Sequence, residues 1–132
     1  MYYDSLYAEL YYIIPVFVSA VLGSLLGWQR IYWGKSAGPR TYSLVSAGAT
    51  LFTILSLNVF EPDVARVASG VVTGIGFLGA GTILRKSDHI EGLTTAAGLW
   101  MAAAIGMAIG SGYYVLAVAT TFLALVLLML HT

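Results

Sequence analysis

The sequence predicts an all-α membrane protein, a bundle of five transmembrane helices. Three observations predict it. Of 132 residues 59% are apolar and only 9% charged, against about a quarter charged in soluble domains. The apolar residues fall into five runs of about the roughly 20 residues that a 30 Å hydrocarbon core requires. Of the six basic and six acidic residues, only Arg66 falls inside a run; the rest lie between runs or before the first.

The runs are residues 11–29, 42–60, 64–84, 93–109 and 113–130. The first follows MYYDSLYAEL, which lacks the basic segment of a cleaved signal peptide, so helix 1 is expected to remain as an anchor. Helix 2 starts at GPRT, where Pro39 can stop a helix from continuing out of the loop. Helix 4 follows GLTT, and Gly110-Ser111-Gly112 turns it into helix 5. Residues 1–132 therefore read as a single transmembrane domain, with no room for a soluble C-terminal domain.

Orientation follows from the short loops. Arg30, Lys35 and Arg40 lie between helices 1 and 2, and Arg85 and Lys86 between helices 3 and 4; the opposite side has Arg66 alone. The basic loops are thus expected in the cytoplasm, with the N-terminus outside and the C-terminus inside. Tyr2, Tyr3, Tyr7, Tyr11, Tyr12, Tyr113 and Tyr114 would mark the outer interface with Asp4 and Glu9, and Trp28, Tyr32, Trp33 and Tyr42 the inner one. Helices 1–2 and 3–4 each form an out-in-out hairpin whose return helix begins with glycine and threonine, the pattern of a parallel repeat.

Zero net charge gives no global field for nucleic acid, which is not expected as a partner. There is no cysteine and there are only two histidines, His89 and His131. That leaves no thiol chemistry and no histidine-built metal site. With no acid inside a span and no catalytic or phosphate-loop motif, neither an enzyme nor a cofactor is expected.

The segment SGVVTGIGFLGAG carries Gly70, Gly74, Gly76, Gly79 and Gly81. In lipid, small residues let helices approach closely. Gly23/Gly27, Gly70/Gly74 and Gly106/Gly110, with Gly98 and Ala102, show the four-residue spacing of packing stripes. The helix 3 glycines spread over several faces, and we read helix 3 as the central helix, buried on all sides; a locally unwound helix lining a pore is the alternative. Arg66 is expected to pair with Asp63 or Glu61 at the outer end, near the headgroups.

At the basic end, helices 2 and 4 aim positive N-terminal dipoles toward Arg30, Arg40 and Arg85 and the hydroxyls of Thr41, Thr94 and Thr95. Free N–H groups, hydroxyls and guanidinium forks suit an anion or a lipid headgroup; topology enforcement and helix capping account for the same residues.

Taken together, LGSLLGWQR, GPRT, ARVASGVVTGIGFLGAGTILR and GLTTAAGLWMAAAIG resemble the MgtC/SapB/YhiD family of prokaryotic inner-membrane proteins, over about residues 20–112. The resemblance implies about five transmembrane helices in the plasma (inner) membrane. It also implies a link to magnesium limitation, acid tolerance and virulence, and ATP synthase as a candidate partner. Its polar markers fall on Arg30, Arg40, Thr41, Arg66, Arg85, Thr94 and Thr95. Gln29 stands where members carry a glutamate, which removes a carboxylate from the inner end of helix 1, and Thr94 where they carry an asparagine. The expected function is a non-enzymatic regulatory or accessory membrane protein of ion homeostasis. The alternative is a small transporter or channel running along helix 3. Five helices enclose little volume, so a homo-oligomer, a dimer first, is expected, besides membrane lipids as partners.

Overall fold

The computed structural model describes residues 2–130, with side chains from Ser5 onward. Tyr2, Tyr3 and Asp4, expected at the outer interface, have side chains outside the described set, and His131 and Thr132 lie outside it altogether. Among the described residues five α-helices form: α1 Tyr2–Tyr32, α2 Pro39–Asn58, α3 Val64–Ala80, α4 Leu93–Gly110 and α5 Tyr114–Met129. Two short strands, β1 Leu84–Arg85 and β2 Ile90–Glu91, pair antiparallel between α3 and α4.

The boundaries differ from the apolar runs where backbone chemistry rather than hydropathy decides. α1 starts nine residues before the first run, at Tyr2 rather than Tyr11, because YYDSLYAEL has no breaker and helical hydrogen bonding does not stop where apolar character does. Pro39 begins α2 behind an extended Gly38, as a proline at the first helical position requires. α3 ends at Ala80 rather than residue 84. There the Thr82 hydroxyl donates to the Gly79 carbonyl at 2.7 Å, and the chain turns into the hairpin. Gly92 then enters α4 with φ +90°, its α-carbon against the Thr82 carbonyl. A side chain there would meet both a strained backbone and that oxygen.

The core lies where α1, α2, α4 and α5 meet. Leu22, Leu26, Tyr42, Leu99, Ala102, Ile105, Ile109, Ala117 and Leu128 form its main cluster. α4 is the inner helix, burying residues on several faces from Thr95 to Ile109. Glycine makes this closeness possible. Gly23 abuts the Tyr42 carbonyl and Ser46, Gly27 the backbone of Gly38 and Pro39, Gly98 the Tyr42 ring and Gly106 the Ser46 carbonyl. Hydroxyls join the same seams: Thr50 donates to the Gly106 carbonyl at 2.7 Å and Ser43 to the Ala20 carbonyl at 3.0 Å. Interhelical bonds of this kind replace the hydrophobic drive that is missing between helices in lipid.

The expected central place of helix 3 does not hold within one chain. Only Ile75 and Gly79 of α3 are buried, and Gly70, Gly74 and Gly76 face open space. Gly79 alone of the set packs on another helix, against Ala96 of α4. The physical reason is that no neighbouring helix comes into contact with Gly70, Gly74 or Gly76, while α4 supplies the small residues of the central seams.

On length and composition, α1 over Ser5–Tyr32 and α4 over Leu93–Gly110 can each cross a bilayer, and α3 and α5 are shorter apolar helices. The outer surface agrees: Phe17, Val21, Leu44, Phe77, Val115 and Phe122 are all exposed. Such a surface calls for an apolar surrounding.

Candidate functional site

At one end of the bundle α1 and α5 finish while α2 and α4 begin, and there the chain buries charge. Arg30, in the last turn of α1, is 4% exposed. Its Nη2 donates to Thr95 Oγ1 at 3.0 Å. The fully buried Tyr42 hydroxyl donates to the Thr95 carbonyl at 3.2 Å, and the Arg30 guanidinium lies beside that hydroxyl. Three helices thus meet on one polar knot: α1 through Arg30, α2 through Tyr42, α4 through Thr95.

The knot is not saturated. Arg30 Nε is buried without a hydrogen-bond partner, and among the described residues no carboxylate forms an ion pair with it. Ser46 Oγ, one helical turn beyond Tyr42, is likewise buried and unpartnered. A charge taken out of water without a counter-charge is costly. An anion at this end of the bundle would relieve that cost.

Of the residues expected to gather here, the structure brings together Arg30 and Thr95. Arg40, Thr41 and Thr94 stand exposed on the first turns of α2 and α4, and Arg85 is exposed on β1. None of these four bonds to the knot. Tyr42 is a correction: expected in the interfacial belt, it is sealed inside. Its phase with Ser46 and Thr50, at i+4 and i+8 on α2, was the available signal, since one helix face carries all three. Trp28, Tyr32 and Trp33 are exposed at the helix end as a belt requires.

Gln29, beside Arg30, turns to α5 instead, donating from Nε2 to the Leu128 carbonyl at 2.8 Å. Far from the knot, Arg66 and Asp63 pair at 3.7 Å on the surface. On the hairpin, His89 sits between Asp88 at 2.6 Å and Glu91 at 3.1 Å, and Lys86 bonds Glu91 at 2.9 Å. Hydrogen bonds to Glu91 and then Asp88 hold the His89 pKa above its ordinary value. The bonds from Lys86 and then His89 hold that of Glu91 below its own. Among the described residues no cluster of histidines and acids has the arrangement of a metal site.

Apolar helices, an apolar exterior and an arginine sealed into the bundle end define a helical membrane protein with a buried polar centre. Residues 16–132 match the MgtC family. The chain belongs to that family. It is 43% identical over 126 residues to the Escherichia coli K12 protein named "Putative magnesium transporter YhiD", covering 89% of this chain and 59% of that one. Against Protein MgtC of Salmonella typhimurium LT2 the identity is 40% over 114 residues, covering 86% and 49%. Against Protein MgtC of Brucella abortus it is 44% over 105 residues, covering 78% and 44%. The chain thus spans about half the length of these relatives. No solved structure matches it.

Proposed function

We propose that this chain is a non-enzymatic membrane protein of magnesium-linked ion homeostasis, acting as a regulatory or accessory component through an anion site centred on Arg30. The observation that carries the reading is the buried Arg30 guanidinium, bonded to Thr95 and with Nε unpartnered. All five helices span the inner membrane, as two out-in-out hairpins and a fifth helix, with the N-terminus outside. The basic end lies in the cytoplasm, where phosphate-bearing lipids and metabolites are available. Arg40, exposed on the first turn of α2, and Arg85, exposed on β1, draw the anion in, and Arg30 holds it. The name of the Escherichia coli K12 relative supplies the link to magnesium.

The test is binding of inorganic phosphate and of a phosphomonoester lipid to the purified protein, wild type against Arg30→Lys and Arg30→Gln. The glutamine variant should lose binding and fail to restore growth in low magnesium to a strain lacking its own copy, while the lysine variant retains part of both. Equal binding by all three would remove the site.

A second reading, a small oligomeric transporter, has its own observation. An apolar hollow of about 270 Å³ lies between α2 and α3, lined by Gly48, Phe52, Gly74 and Leu78 among others, beside the open faces of Gly70 and Gly74. A second copy packed there would enclose a path that one chain leaves open. Saturable ion flux into liposomes, abolished by Gly79→Leu, would overturn the accessory reading in favour of this one.

A further inference from the structure

A third unsatisfied polar atom, after Arg30 Nε and Ser46 Oγ, lies where α1 meets α5. Gln29 is 7% exposed, and with Nε2 tied to the Leu128 carbonyl its Oε1 is left buried with no partner among the described residues. A buried carbonyl oxygen without a donor is uncommon in native proteins, and it points to a donor supplied from elsewhere. Gln29 forms part of an open groove of about 540 Å³ between α1 and α5.

The rest of the groove says what kind of donor. Leu25, Leu125 and Met129 make one part of it apolar, while Trp28, Tyr32 and Trp33 line the part at the end of α1. Among the described residues no acid or base lines it. A cation recognised here would be held by ring faces and a neutral carbonyl rather than by an ion pair. Leu25, Trp28, Tyr32 and Met129 are also exposed on the apolar outer surface, so the groove is open to lipid. Trp and Tyr at a helix end place it at headgroup depth.

The geometry points to a binding site for a phospholipid with an ammonium headgroup that retains N–H donors, of the ethanolamine class. The ammonium donates to Gln29 Oε1 and rests against Trp28, Tyr32 and Trp33, and an acyl chain lies along Leu25, Leu125 and Met129. The site is separate from the Arg30 knot and differs from it in sign: Arg30 would take an anion, Gln29 an ammonium donor. It shares with the proposed function only the placement of this end in the membrane.

The probes are phosphatidylethanolamine, its N-monomethyl, N,N-dimethyl and N,N,N-trimethyl derivatives and phosphatidylglycerol, all with the same acyl chains. Each is scored by retention on the purified full chain in native mass spectrometry. Retention should hold through the dimethyl lipid and fall about tenfold at the trimethyl lipid, which has no N–H to donate, the size of one lost hydrogen bond to a charged group. Gln29→Leu should erase that step by bringing the N–H lipids down to the retention of the trimethyl lipid, which itself stays unchanged. The methylation series on the wild-type protein needs no variant to fold. Equal retention across the series would leave water as the donor and overturn the proposal. So would preferential retention of phosphatidylglycerol, or a step unchanged in Gln29→Leu. Phosphate binding through Arg30 is read separately, so either site can fail alone.

Discussion

The seam between α2 and α4 and the outer face of α3 carry the same sequence pattern and do different things. Both have glycines four residues apart, Gly106 and Gly110 in one, Gly70 and Gly74 in the other. At Gly106 and Gly110 an added carbon would strike the carbonyls of Ser46 and Thr50, whereas at Gly70 and Gly74 it would meet nothing. Small-residue spacing therefore states that close approach is permitted, and the neighbour decides whether it happens within the chain. On α4 the neighbour is α2; on α3 it must come from lipid or another molecule.

That contrast can be broken by one substitution made twice. Gly106→Ala should destabilise the purified protein by about 1–3 kcal/mol, because a carbonyl and two backbones must move to admit the methyl group. Thermal unfolding in detergent would read it, and an unchanged midpoint would mean the seam is looser than it stands here. Next in size is the knot above that seam. Thr95→Val should cost about 1.5 kcal/mol, as it leaves the Arg30 Nη2 without its acceptor. Tyr42→Phe should cost about 1 kcal/mol, since the Thr95 carbonyl keeps its place in the helix. A larger loss in Tyr42→Phe than in Thr95→Val would reverse the order of importance given to the two bonds.

Gly74→Ala is expected to leave the unfolding midpoint within about 0.5 kcal/mol of wild type, its face being open. If it leaves stability unchanged yet shifts the oligomeric state in crosslinking or light scattering, the open face of α3 is where copies meet. The smallest effect belongs to the hairpin after α3. His89, its pKa raised chiefly by the bond to Glu91, favours the folded hairpin while protonated, and that contribution fades as pH rises through its folded value. Glu91, its pKa lowered chiefly by Lys86, contributes above its ordinary value and loses it as pH falls through the lowered one. The hairpin is thus best held between the two titrations. NMR titration should place His89 above an ordinary histidine and return it toward that value in Glu91→Gln.

Much of the architecture was legible in the residues. Five helices follow from the apolar runs, and the breaks fall where Gly38-Pro39, Glu61-Pro62 and Gly110-Ser111-Gly112 stand. The sequence offered Arg66 both Asp63 and Glu61 as partners, and the structure selects Asp63, the residue just before α3. The place of α3 did not follow: four glycines on several faces suit a buried helix and a bare one equally, since neither needs a side chain.

The same division runs through the site. A sequence by itself determined that arginines and threonines gather at the starts of α2 and α4, since charge must leave the apolar spans and helix starts favour hydroxyls. Only the tertiary structure decided that Arg30 and Thr95 turn inward while Arg40, Thr41, Arg85 and Thr94 remain outside, and that Tyr42 closes the knot. It likewise decided that Gln29 and Arg30, adjacent in the chain, face different helices. Local rules place a residue along its helix; which face is buried depends on how closely α1, α2, α4 and α5 approach, and the glycines of distant segments set that together.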